Sequence, residues 1–317
     1  MKNVQELKIF VRDNLTDELR ELETKRKDVL KKIIMYDSAL TLVYGIILYF
    51  IFQNNALPQT IQPLAVTYFL FFSLVIYFTS RGYTSDYKNK VIKQIVSFLE
   101  PTLTYNPETC VSRQSFYNSE IFREDATTYK GDDHVSGNIE KTSLEFSELD
   151  LSYTTGSGKN RRTVQIFKGL FFIADFNKNF KGRTFVLPDF AEKLFGSLGS
   201  FFQSKSHSYG ELVKVEDPEF EKEFVVYSND QVEARYILSP SLIKRILDYK
   251  KKANKRVHLS FVDNKLYVAV SFTKNLFEPR ILKSVIDFAP IQEYYEDLCL
   301  AISIVEELNL NLRIWAK

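Results

Sequence analysis

Two apolar stretches, Ile33 to Phe52 and Ile61 to Ser80, are separated only by the uncharged segment Gln53 to Thr60. Each is about twenty residues long, and a helix rising about 1.5 Å per residue over that length crosses the ~30 Å hydrocarbon layer of a bilayer. Backbone amides in lipid have no water to bond, so helix is the state left to such a pair. The first stretch carries one acid, Asp37, about a turn from its start, where a carboxylate can reach the headgroups. The second carries no charge from Pro63 to Thr79, and Tyr68 and Tyr77 are aromatics that lipid tolerates. The pair predicts a transmembrane hairpin over residues 33–80, with spans 33–52 and 61–80.

The flanks orient it. Lys25, Arg26, Lys27, Lys31 and Lys32 precede the first span, and Arg81, Lys88, Lys90 and Lys93 follow the second. The positive-inside rule then predicts two passes with both termini in the cytoplasm. The charged prelude before the first apolar run, with no small-residue cleavage site after it, argues against a cleaved signal peptide.

Those flanks also carry helical periodicity. In the N-terminal segment 1–32, Leu15, Leu19, Leu22, Val29 and Ile33 keep a nearly heptad-like spacing, broken by Arg26. In 81–100, Tyr83, Tyr87, Val91, Ile95 and Phe98 repeat every three or four residues until Pro101. The hairpin is therefore expected to continue as a short antiparallel, coiled-coil-like stalk that stops at Glu100, before the proline. Val4, Leu7, Phe10 and Val11 give the first helix an apolar face that could serve the domain, a partner or the membrane surface.

From Tyr105 the texture changes to short alternating segments. Ser143 to Tyr153 and Thr163 to Phe176 read as strands joined by the loop Thr154 to Arg162. That loop contains Gly156-Ser157-Gly158-Lys159, but a phosphate loop needs Gly at Tyr153, Ser or Thr at Asn160, and a helix next. Thr184 to Pro188, Phe224 to Tyr227, Ala234 to Leu238, Arg256 to Val262 and Lys265 to Phe272 are further predicted strands, the last two turning at Asp263-Asn264. Pro240 opens a helix that ends in Lys250, Lys251 and Lys252. A last helix is expected over Ile291 to Leu308, then a closing strand over Asn309 to Trp315. Residues 101–317 thus predict an α+β domain, a mainly antiparallel sheet with helices in its C-terminal half.

Composition bounds the chemistry. The 317 residues are 45% hydrophobic with net charge +2, enough for a core beside the hairpin and without the basic excess of a nucleic-acid binder. Cys110 and Cys299 are far apart, and His134, His207 and His258 show no metal-ligand spacing with them, so neither a zinc site nor a cofactor is expected. The segment Glu211 to Arg235 is the most charged; Glu216, Glu219, Glu223, Asp230 and Glu233 are the candidate carboxylates for acid/base work or for holding a divalent cation, if the turn at Asp217-Pro218 brings them together. No histidine or nucleophile stands beside them, and a solvated face with local ion pairs is the competing reading.

Phe167 to Phe180, Glu216 to Tyr227 and Asp230 to Pro240, with Glu306 to Asn311 and Arg313-Ile314-Trp315, resemble a bacterial family catalogued only as a domain of unknown function, over roughly residues 30 to 317. Its members resemble this chain in placing a membrane hairpin before the domain. The resemblance implies a bacterial inner (plasma) membrane protein and brings no activity or catalytic residues. The sequence therefore favours an anchored module that binds a protein or a lipid headgroup, with the lipid bilayer as one partner and oligomerisation through the helices open. A membrane-tethered enzyme using the acidic segment is the alternative.

Overall fold

A computed structural model describes the chain apart from residues 1, 54–56, 177–179, 190–208, 309 and 311–317. Its contacts divide it into two units, Met1–Ile95 with Phe277–Tyr294, and Val96–Leu276 with Tyr295–Lys317.

The first unit is helical. α1 (Val4–Phe10) begins at a reciprocal cap in which the Asn3 side chain accepts from the Glu6 amide and the Glu6 carboxylate accepts from the Asn3 amide. One π-helical segment, Val11–Leu15, leads into α2 (Thr16–Gln53), and a second, Lys88–Ile92, joins α3 (Leu57–Tyr87) to α4 (Lys93–Leu99). Ion pairs fix α2 against α3 and the π-helical segment that continues it: Lys25 lies 2.8 Å from Asp86, and Lys90 lies 2.6 Å from Glu21. Both pairs obey one antiparallel register, which carried along the helices sets Ile33 opposite Phe78, so the two apolar stretches begin and end nearly level. Both helices are long and apolar enough to cross a membrane, and no part of their apolar windows is buried. Phe69 and Phe78 are 67% and 69% exposed, which in water would be costly and suggests membrane association.

Asp37 is half-buried and accepts a hydrogen bond from the Tyr68 hydroxyl at 2.8 Å, with Thr41 Oγ1 2.9 Å from the same tyrosine oxygen. A carboxylate among apolar side chains needs such a donor, and the facing helix supplies it.

The second unit is built on an antiparallel nine-stranded sheet of order β1-β2-β3-β4-β9-β8-β5-β7-β6. The strands are β1 (Leu103–Asn106), β2 (Thr128–Ile139), β3 (Thr142–Thr155), β4 (Arg162–Asp175), β5 (Thr184–Pro188), β6 (Glu211–Val213), β7 (Phe224–Ser228), β8 (Val257–Val262) and β9 (Lys265–Ser271). The hairpins expected at 154–162 and at Asp263-Asn264 are both present, the latter with Asp263 in the left-handed region (φ 57°). Gly158–Asn160 is a single 3₁₀ turn leading into β4, so the Gly-rich segment is a hairpin tip. Around the sheet lie α5 (Arg113–Asn118), α6 (Pro218–Glu223), α7 (Gln231–Ile237) and α8 (Pro240–Ala253), and α9 (Phe288–Glu307) follows. One core cluster forms where Phe116 of α5, 4.8 Å from Phe171 at the ring centroids, meets Leu149, Leu151, Phe167, Ile173 and Tyr267. The fold is α+β, as the sequence predicts.

Ala234 to Leu238, expected as a strand, is helix. The Asp230 side chain accepts from the amides of Val232 and Glu233, which nucleates α7, and the helix buries Ala234 and Ile237, three residues apart. The expected closing strand, 309–315, lies outside the described residues except for Leu310.

Candidate functional site

The acidic segment folds into α6, β7 and α7, and most of its carboxylates are engaged locally. Asp217 caps α6, accepting from the amides of Glu219 and Phe220 at 3.0 Å each. Glu219 pairs with Lys251 at 2.6 Å and Glu223 with Lys250 at 3.0 Å, so the basic end of α8 anchors α6. Asp230 caps α7, and Glu233 accepts from the amides of Gly182 and Lys181 at 2.6 and 3.2 Å. Of the expected carboxylates only Glu216 lines the cavity of about 710 Å³ next to this segment, beside Val213, Arg235, Leu238, Pro240 and Ile243.

The same segment presents an apolar surface that its charge conceals in the sequence. β6 ends the sheet among the described residues, and its register sends Val213 inward against Val226 while Leu212 faces out. The Gln231 side-chain amide donates to the Leu212 carbonyl at 3.2 Å, holding the start of α7 against the strand. On α7, Val232 is 79% exposed and Tyr236 is exposed as well. A seven-residue helix with apolar residues at 232, 234, 236 and 237 cannot bury them all on one face, and that pattern was the available signal for this surface.

Elsewhere in the sheet unit, carboxylate oxygens of Asp132, Asp133 and Glu148 lie within 4.8 Å of one another at the β2–β3 bulge. Donors from the protein meet the two buried ones: the Tyr105 hydroxyl donates to Asp133, and the Leu276 amide donates to Glu148 at 2.8 Å. The group fastens β1, the bulge and the chain after β9 to one another.

The helical unit holds a second polar centre. Arg26, at the break in the heptad-like pattern, is buried and donates to both oxygens of Glu23 at 2.9 and 2.7 Å and to the Ile281 carbonyl at 2.7 Å. Glu23 also accepts from the Val285 amide at 3.1 Å and the Ser284 hydroxyl at 3.2 Å. Buried Lys88 pairs with Glu278 at 2.8 Å. The Arg26 guanidinium, with help from the Val285 amide, lowers the Glu23 carboxyl to about 2. Burial alone would push it the other way. The segment 277–287 is thus strapped to α2 and to the π-helical segment after α3, a tertiary contact without a local sequence signal.

The description "Protein of unknown function (DUF3137)" matches residues 165–310. A domain of that family lies there. The match contains β6, α7 and the strap, and it is narrower than the resemblance read from the sequence, leaving the apolar hairpin outside. No curated protein matches. A solved structure, the crystal structure of the mycobacterial trehalose monomycolate transport factor A, TtfA, aligns at 10% identity over 66% of this chain and 94% of that one, with a TM-score of 0.33, a likeness too low to carry an argument.

Proposed function

We propose that the chain is a membrane-anchored interaction module. In this reading the hairpin crosses a bacterial inner membrane twice with both termini in the cytoplasm, and the α+β domain docks a protein partner on the edge formed by β6 and α7. The observation that carries it is the exposure of Leu212, Val232 and Tyr236 on a terminal strand and its adjoining helix, beside a cavity of about 710 Å³. Exposed apolar groups rimmed by charge mark interaction surfaces. Catalysis by Glu216, Glu219, Glu223, Asp230 and Glu233, with or without a divalent metal, draws less support, because caps and ion pairs take up all of them but Glu216.

Photo-crosslinking tests the docking edge. With a photoreactive residue at position 212 in cells of the source bacterium, the full-length protein should give a discrete adduct that Val232→Asp together with Tyr236→Ala reduces at least about tenfold, the loss expected when apolar anchors are removed. An adduct equally strong in that variant, or none but lipid, contradicts the proposal.

A further inference from the structure

We infer that the strap between β9 and α9 is a second membrane contact, a turn whose crest, Leu282-Lys283, enters the headgroup layer of the bilayer that the hairpin crosses. The inference rests on the membrane reading of the hairpin and adds a surface to it.

The strap's course follows from its tethers. In the register fixed by Lys25–Asp86 and Glu21–Lys90, Lys88 lies level with Glu23. Glu278 is held at that level by Lys88, and Ile281 and Val285 are both held at the Arg26–Glu23 pair, Ile281 by the guanidinium and Val285 by the carboxylate. The chain therefore leaves that pair and returns to it, and residues 282–284 stand out from it as a turn. The turn is closed by the Lys283 amide, which donates to the Arg280 carbonyl at 3.1 Å.

What stands at that crest is apolar and cationic. Leu282 is 84% exposed, the most exposed large apolar side chain among the described residues, and Ile286 is 52% exposed just past the turn. Val285, between them, is buried and acts as the anchor. Arg26 precedes Ile33 by seven positions, about 10 Å of helix, and the headgroup region extends roughly 5–8 Å beyond the hydrocarbon, so a leucine and a lysine extending from the crest can reach it. Exposed Lys27, Lys31 and Lys32 on α2 and Arg81 on α3 lie between the crest and the span. An exposed leucine beside a lysine, below a ring of basic residues, matches an anionic interface better than it matches water. Arg26 and Glu23 hold the strap through the Ile281 carbonyl, the Val285 amide and the Ser284 hydroxyl, which fixes its position and leaves the exposed Leu282 and Lys283 side chains to insert.

The test uses the full-length chain, with Cys110 and Cys299 replaced by alanine, reconstituted in vesicles containing brominated lipid. A polarity-sensitive fluorophore is placed on a single cysteine at 282, at 72 in the second span, or at 157 in the hairpin tip. Position 282 should show blue-shifted emission and at least about twofold more quenching than 157, greater in phosphatidylglycerol-rich vesicles than in neutral ones. Quenching at 72 with position 282 matching 157 overturns the strap contact and leaves the hairpin standing. Absence of quenching at 72 overturns the hairpin, and the strap contact with it. Equal quenching at 282 in both lipids overturns the anionic preference. Leu282→Asp, a solvent-facing change, should raise the water exposure of a probe at Ile286 without altering the one at 72.

Discussion

At the residue scale, Arg26 shows why a flaw in a pattern is informative. A heptad-like seam would place an apolar residue there; the chain places a cation and partners it with a bidentate carboxylate and a backbone carbonyl. The break was visible in the sequence, but its meaning was not, because the carbonyl acceptor belongs to a residue 255 positions away. The pair makes a signed prediction. Glu23's carboxyl is lowered from 4.5 to about 2 in the fold, so its stabilising contribution is complete above pH 4.5 and is lost as pH falls toward 2. Arg26→Met should destabilise the protein by roughly 3 kcal/mol at neutral pH, by leaving a buried carboxylate without its cation, and the difference from the parent protein should shrink as pH falls and Glu23 takes up a proton. Thermal unfolding in detergent from pH 7 to pH 3 reads both effects; unchanged midpoints across that range would show that the pair does not hold the strap.

At the element scale, the sheet was legible where strands alternate and turns are tight, and illegible where a cap decides. β3, β4, β8 and β9 follow from their apolar spacing and from turn residues between them. α7 does not, because the Asp230 cap outweighs a short stretch of strand-like residues. β2 is equally illegible: its segment, Thr128–Ile139, holds Gly131, Asp132, Asp133 and Gly137, which break the alternation where the strand bulges. Gly169 begins the β4–β9 pairing opposite Ser271. Its φ is +149°, and a Cβ there would clash with the Val270 carbonyl oxygen and the Phe272 amide. Neither is the end of a flexible side chain, so Gly169→Ala should cost roughly 2 kcal/mol or more, through backbone displacement. A Tm lowered by several degrees in the full-length protein would bear this out, and an unchanged Tm would show that β9 can shift without loss.

At the scale of the whole molecule, the most informative sequence feature and the most informative structural feature coincide in the hairpin. Two uncovered apolar helices, pinned in register by ion pairs, suggest membrane association. The candidate site was half legible: the segment Glu211 to Arg235 was singled out for its carboxylates, whereas the surface that stands open there is made of Leu212, Val232 and Tyr236. Charge is conspicuous in a sequence, and exposure is a property of the fold. The membrane account is tested most directly by labelling intact bacteria with a membrane-impermeant maleimide, with a single cysteine at Asn55 or at Ser157. Cys110 and Cys299 are half-buried and burial raises their thiol pKa, so their background reactivity should be low. The account predicts that position 55 is labelled in intact cells and position 157 only after lysis. Labelling of 157 in intact cells, or release of the unlabelled chain into the soluble fraction without detergent, would contradict it.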